Sequence, residues 1–308
     1  MSADPIIRPA AAGDAAPLAA LWARAFTPPL APGQWLADPE RFAHTLVAED
    51  GDGVIGSIYG LPKRLREAGG GVARVHGIGS VAVADRARGR GIARRLVAAT
   101  LESARRTGAD WALLFTGTPE VYRSSGFTVF GMRRALSGPW APGREEGSDR
   151  LGEVGREPVG PGSLAPFAEV YERSREGVEL APVRSARDWT MAEVRLAGLR
   201  RYAVERDGVA HGYAVAGVQD GLGVLAELAA PDSADVRVAL LDAIAVDWAA
   251  AGVERCDLAV PDRAEDLAAV RAFAPHAAWT PDETGMTRPV GREPRIPGTR
   301  HFGAADYF

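Results

Sequence analysis

The sequence predicts an α/β protein of two tandem units with the same element order, and three observations carry that prediction. Between Gly77 and Ala104 a short β-branched run with Ile78, Val81 and Val83 gives way to Ile92, Leu96, Val97 and Leu101 at helical spacing, so a strand feeds a helix. A buried-type strand, Trp111 to Phe115, follows and is broken by Thr116-Gly117-Thr118-Pro119. Beyond residues 137–163, a segment rich in glycine, proline and charge, hairpin, strand, helix, strand and helix recur in the same order.

In chain order, Ile6 to Pro9 reads as a first strand, and Asp14 is placed to cap a helix through Leu18, Leu21, Trp22 and Phe26. Residues 27–33 stop it, and a second short helix is expected to hold Trp35, Leu36 and Phe42. Thr45 to Glu49, the turn Asp50-Gly51-Asp52-Gly53 and Val54 to Gly60 form a hairpin signal that leads to the strand at Ile78. After the boundary segment, which has room for a strand near Leu151 to Val154, helices are expected over 164–175 and 188–197. A hairpin over 201–217, a strand over 224–228, a helix over 233–250, a strand over 256–260 and a helix over 265–272 follow. The expected division is residues 1–148, 149–290 and a tail, 291–308.

The chemistry concentrates in Arg86-Ala87-Arg88-Gly89-Arg90-Gly91, between strand and helix. Glycines let the backbone approach a ligand, and the first helical amides have no intrahelical partner. With the positive end of the helix dipole and neighbouring guanidiniums they can hold a pyrophosphate. An arginine-rich turn before an ordinary amphipathic helix is the plainer alternative. A dinucleotide fingerprint fits less well, because its third glycine is Ala93 and the acidic residue about twenty positions on, Asp110, precedes the next strand.

Arg88-x-x-Gly91-x-Ala93 after Val-Ala-Val resembles the acyl-CoA signature of the GNAT N-acetyltransferases, and Tyr122 to Phe127 is similar to the Tyr-Gly-Phe step that ends their core. The resemblance implies two neighbouring parallel strands that splay apart around a pantetheine arm, within a mixed, mostly antiparallel sheet. It implies acetyl-CoA as cosubstrate, bound by Val81, Ala82, Val83, Arg88, Gly89, Arg90, Gly91, Ile92 and Ala93. It implies a backbone amide, from Val81 or Val83, for the oxyanion and Tyr122 as acid for the leaving thiolate, where Tyr122 also has a packing role open to it. Between Leu228 and Val236 the second unit has no glycine or arginine and two acids, so it is expected to be a degenerate GNAT-like domain without CoA; an unrelated α/β domain is the alternative.

Two tandem units with the working one first resemble the Eis-type (enhanced intracellular survival) acetyltransferases, which act on aminoglycosides and other polyamines, but the sterol-carrier-like third domain of that type has no counterpart here. Mycothiol synthase, with its functional loop in the second half, matches less well. The resemblance implies a small cationic amine as acceptor, with protein acetylation and a non-catalytic acyl-CoA sensor as alternatives. It also implies a role for the terminal carboxylate of Phe308 as base, against a tail that only staples the domains. Trp22, Phe26 and Trp35 are candidates for the acceptor wall or for the core, Asp306 for receiving a cationic group, and His76 for a lesser catalytic role.

Composition sets the outer bounds. The 308 residues are 46% apolar and 25% charged with a net charge of −4, which suits a soluble globular chain and a cationic substrate more than nucleic acid. Cys256 is the single cysteine, so no internal disulfide or multi-cysteine zinc site is expected, and the histidines show no ligand spacing. No leader or membrane-length apolar run is visible, so a cytoplasmic protein is expected; composition leaves the oligomeric state, including a homo-oligomer, open.

Overall fold

A computed structural model describes residues 4–27, 35–141, 154–231 and 233–308. The first half runs β1 (Ile6–Pro9), α1 (Ala15–Ala25), β2 (Thr45–Asp50), β3 (Gly53–Arg66), β4 (Val72–Val83), α2 (Ile92–Arg106), β5 (Trp111–Phe115), α3 (Glu120–Arg123), β6 (Thr128–Val129) and β7 (Met132–Pro139). The second half runs β8 (Val154–Pro158), α4 (Ala168–Ser174), α5 (Ala186–Arg195), β9 (Arg200–Arg206), β10 (Val209–Gln219), β11 (Leu222–Ala229), α6 (Ala234–Ala250), β12 (Arg255–Leu258), α7 (Ala264–Phe273), β13 (Ala278–Asp282) and β14 (Gly285–Pro289).

These strands form two seven-stranded mixed sheets, ordered β1-β2-β3-β4-β5-β14-β6 and β13-β7-β12-β11-β10-β9-β8. In each, one neighbouring pair is parallel, β4 with β5 and β11 with β12; the others are antiparallel. The fold is the expected pair of α/β units. Its strand membership departs from a division at 148/149, because β7 from the first half joins the second sheet and β14 from the second half joins the first, between β5 and β6. Residues 137–139, read as part of the boundary segment, therefore belong to β7, which pairs with β12.

The apolar stripe of α2 explains its seat. Ile92, Leu96, Val97 and Leu101 are buried against Ile55, Ile58, Ile78 and Leu114 of the first sheet. Each such side chain contributes roughly 1.5–3 kcal/mol on burial. In the second unit Leu240, Ile244 and Trp248 of α6 pack against Tyr202, Ala214 and Leu225.

Several local expectations change. Asp14 makes no side-chain bond to the α1 amides; its carboxylate takes both terminal nitrogens of Arg8, at 2.7 and 2.8 Å, and the amide of Ala11. Ion pairing outcompetes capping there and draws the Asp14 carboxyl down to about 2. Phe42 lies in a run of turns. β3 and β4 extend well past the expected hairpin, to Arg66 and from Val72, because Lys63, Arg64 and Arg74 interrupt the apolar pattern without breaking the ladder. Of the strand expected near 151–154, Val154 opens β8, and 151–153 lie outside the described residues.

Candidate active site

In the first sheet the parallel pair stops partway along β4. β4 and β5 pair from Val75 with Trp111 to Ile78 with Leu114; β5 then ends at Phe115, while β4 continues to Val83. Just beyond the last pair, Ser80 has φ 48°, and Ser57 of β3 faces Ala82 while Tyr59 faces Gly79. One extra residue on β4 makes this a β-bulge, a device that re-aims backbone groups beside active sites. A serine with positive φ is costly in isolation, on the order of 1–3 kcal/mol. Side chains hold it: Arg41 Nη2 donates to Ser80 Oγ at 2.6 Å, Ser57 Oγ donates to the Ser80 carbonyl at 3.2 Å, and Trp22 Nε1 donates to Ser57 Oγ at 2.9 Å.

The glycine-arginine loop leaves β4 through a 3-10 turn and enters α2 with Gly89 at φ 74° and Gly91 at φ 73°. Nothing lies within 4 Å of a Cβ built on either, so backbone conformation rather than crowding requires glycine there. Arg95 makes the first helical bond, to the Gly91 carbonyl, which leaves the amides of Ile92, Ala93 and Arg94 without an intrahelical acceptor. The loop's guanidiniums divide their work. Arg86 and Arg90 both reach back to Asp50, whose side chain is nearly buried and whose carboxyl they hold below its usual range. Arg88 is exposed and, among the described residues, pairs with exposed Asp85 at 2.9 Å. Along α2, Arg94, Arg105 and Arg288 line a groove with Ser124 and Ser125.

Tyr122 lies on α3, nearly buried, with its ring edge-on to Phe127 at 6.2 Å. Desolvation pushes its phenol up to about 12, so it keeps its proton at neutral pH. On the other face of the sheet the tail closes in. Ala304–Asp306 forms a 3-10 turn, and Phe308 lies over β4, where glycines at 77 and 79 give it room. A Cβ at Gly77 would come 2.8 Å from the Phe308 ring, and one at Gly79 would strike the Phe308 main-chain carbonyl. Phe115, Phe302 and Tyr307 surround that end.

Other expected site residues fall elsewhere. Trp22 and Trp35 are buried in one cluster with Leu18, Leu21 and Val47, and Phe26 packs at its edge. Their part in the site is indirect, through the Trp22 bond to Ser57. Asp306 does receive a cation, but from the protein: Arg184 Nε lies 2.8 Å from one oxygen and Nη2 3.2 Å from the other. His76 is buried with Nε2 2.9 Å from Thr100 Oγ1; desolvation holds its pKa down, at about 4. Arg41, Ser57, Tyr59 and Ser80 carry no motif, so sequence reading passed over them; a serine in a β-branched run gives no sign of a bulge.

The second unit repeats this arrangement without the loop. β11 pairs with β12 from Leu222 with Arg255 to Leu225 with Leu258, then runs on to Ala229, and a bulge falls at Ala226. Glu227, the next residue, accepts from Arg184 and from the Tyr213 hydroxyl, so an ion network that includes Asp306 lies beside this bulge. At the start of α6, Ser233 caps the Val236 amide with its own hydroxyl. Among the described residues no group of three His, Cys, Asp or Glu side chains could hold a metal ion, and no helix is long and apolar enough to cross a membrane.

Residues 6–130 match the family model described as an acetyltransferase (GNAT) domain. The first module is thus similar to a GNAT acetyltransferase domain. Solved structures share the fold over both units: a GCN5-related N-acetyltransferase from Kribbella flavida is 22% identical, with TM-score 0.69, over 94% of this chain and 72% of that one. One from Anabaena variabilis is 16% identical, with TM-score 0.72, over 93% and 73%. Eis1 from Mycobacterium abscessus is 18% identical, with TM-score 0.65, over 93% and 73%. No curated protein sequence matches the chain. The first module thus holds the β4 bulge, the loop and Tyr122, while the second unit contributes the tail's anchorage.

Proposed function

We propose that the protein is an acetyl-CoA-dependent N-acetyltransferase that acetylates the primary amine of a small acceptor by direct attack on the thioester. The observation that carries this reading is the slot between β4 and β5, bulged at Ser80 and flanked by the Arg88–Ala93 loop. The loop suits a pyrophosphate, with exposed Arg88 and the free amides of Ile92 and Ala93, and the Arg94, Arg105 and Arg288 groove suits a further phosphate. The amine nitrogen attacks the thioester carbon, and amides of the Val81–Val83 segment take the oxyanion. The carbon–sulfur bond breaks, and Tyr122 gives its proton to the thiolate.

The amine's own proton we assign to the main-chain carboxylate of Phe308, directly or through water, since that end rests on Gly79 beside the bulge. A free α-carboxyl titrates near ~3.5 and a substrate ammonium near ~10, so the transfer needs burial to raise the former. Adding three residues beyond Phe308 should abolish turnover with folding intact; full turnover would remove the carboxylate from the mechanism. The reading as a whole is tested by calorimetry with acetyl-CoA and by thiol release with a panel of amines. A polycationic acceptor, expected from the resemblance and the net charge, gains no support from the site: the buried carboxylates Asp38, Asp188, Glu227 and Asp306 are all bonded to the protein's own cations.

A further inference from the structure

We infer that the acceptor carries an anionic group, a carboxylate or phosphate, beside the amine that is acetylated, and that Arg41 and Arg195 receive it. The inference rests on the N-acetyltransferase reading and names the chemical class of its acceptor.

The argument is a charge balance on the face of the first sheet that holds Phe308. Arg187 from α5 binds Asp38 with Nε at 2.9 Å and also reaches the Tyr59 hydroxyl. Lys63 from β3 binds Asp188 at 2.5 Å, and Arg184 holds Glu227 and Asp306. Exposed Glu40 is shared between Arg187 and His44. Each of these side-chain anions therefore has its cation, whereas Asp282, which acts on Tyr307 in the tail, bonds Thr284. Arg41 and Arg195 stand outside these pairs. Arg41 is 7% exposed, lies 4.0 Å over the Tyr59 ring and 4.9 Å from the Trp22 ring, and has no carboxylate partner among the described residues. Its Nη2 is on Ser80, and its Nε is buried without a partner. Arg195, half-buried on α5, donates to the Ala305 carbonyl at 3.2 Å and likewise has no carboxylate partner among the described residues.

The two stand near enough to repel each other. Burial lowers Arg41 to about 10; Tyr59 and Asp38 oppose that, and Arg195 and Arg187 add to it. Burial likewise leads the lowering of Arg195, against Asp306, Tyr59 and Asp188. A nearly buried guanidinium with no carboxylate bonded to it is costly, and an anion brought by the ligand reduces the cost. Its position fits: Arg41 is bonded to the bulge residue itself, beside Gly79, Ser80 and Val81, which are half-exposed, and Arg195 is bonded to the tail that ends at Phe308. An amine entering this opening would thus bring its anionic substituent against Arg41 and Arg195.

The test compares acceptors that differ only in that group: L-lysine against cadaverine, L-phenylalanine against phenethylamine, and glucosamine 6-phosphate against glucosamine, each followed by thiol release from acetyl-CoA. The expected result is a kcat/KM at least about tenfold higher for the anionic member of at least one pair. In Arg195→Gln that preference should fall about tenfold, chiefly through the KM of the anionic acceptor, with acetyl-CoA affinity unchanged. Equal rates within every pair, or faster turnover of cadaverine and other polyamines, would overturn the inference and leave N-acetyl transfer standing. Uptake of acetyl-CoA without thiol release for any amine would overturn both.

Discussion

The ring of Phe308 lies across Gly77 so closely that a Cβ on that strand position would come within 2.8 Å of it. Gly77→Ala should therefore force the tail off β4, at a stability cost of about 1–3 kcal/mol for overpacking. Paired with Phe308→Ala, which removes the ring, the cost of Gly77→Ala should largely vanish. Urea denaturation of the two single variants and the double variant measures this, and independent, additive effects would mean that the contact is not made in solution.

Tyr122→Phe should reduce kcat by roughly 10²–10⁴-fold with the KM for acetyl-CoA little changed, since only the proton donor is lost. With the phenol pushed up to about 12, no Tyr122-dependent fall in rate is expected between pH 7 and 10. Initial rates across that range check both statements.

Arg88 is the loop cation with no buried partner, so Arg88→Ala should weaken acetyl-CoA binding by about ten- to a hundredfold while the melting temperature stays put. Asp50→Asn should act differently, because it frees Arg86 and Arg90 from the carboxylate that fixes the loop. Calorimetry and thermal melts, run on both variants, separate a ligand contact from a loop anchor.

Acid should destabilise the fold through its buried histidines. Burial holds His76 at about 4 and His301 at about 3, below an unfolded histidine near ~6.5. As pH falls through 6.5 the unfolded chain takes up protons that the folded one refuses, so stability is lost between about pH 6.5 and those lower values. For His76 alone the loss amounts to up to about 3 kcal/mol. Urea midpoints from pH 7 to 4.5 should decline, and His76→Gln should flatten the decline; an unaltered slope in that variant would clear His76 of the effect.

Much of this fold could be read from residue patterns, because local physics wrote it. The apolar spacing of Ile92, Leu96 and Leu101 and the run Trp111 to Phe115 are short-range signals, and they produced α2 and β5 as expected. The loop was legible for the same reason, although its arginines proved to be divided between Asp50 and solvent. What stayed hidden depends on partners far apart in the chain. Asp306 meets Arg184 across 122 positions and Arg187 meets Asp38 across 149, and no periodicity encodes such pairs. The placement of β14 beside β5 was equally invisible, since Gly285–Pro289 looks like an ordinary end of the second unit.

That placement has a bearing on how the molecule comes into being. β14 fills the space between β5 and β6, so the ribosome must deliver Gly285–Pro289 before the GNAT sheet can close. A nascent chain halted before residue 154 would present β5 with a bare hydrogen-bonding edge, open to pairing with whatever strand arrives first. Acquisition of activity during synthesis should therefore wait until Gly285–Pro289 has been made, although the loop and Tyr122 come long before.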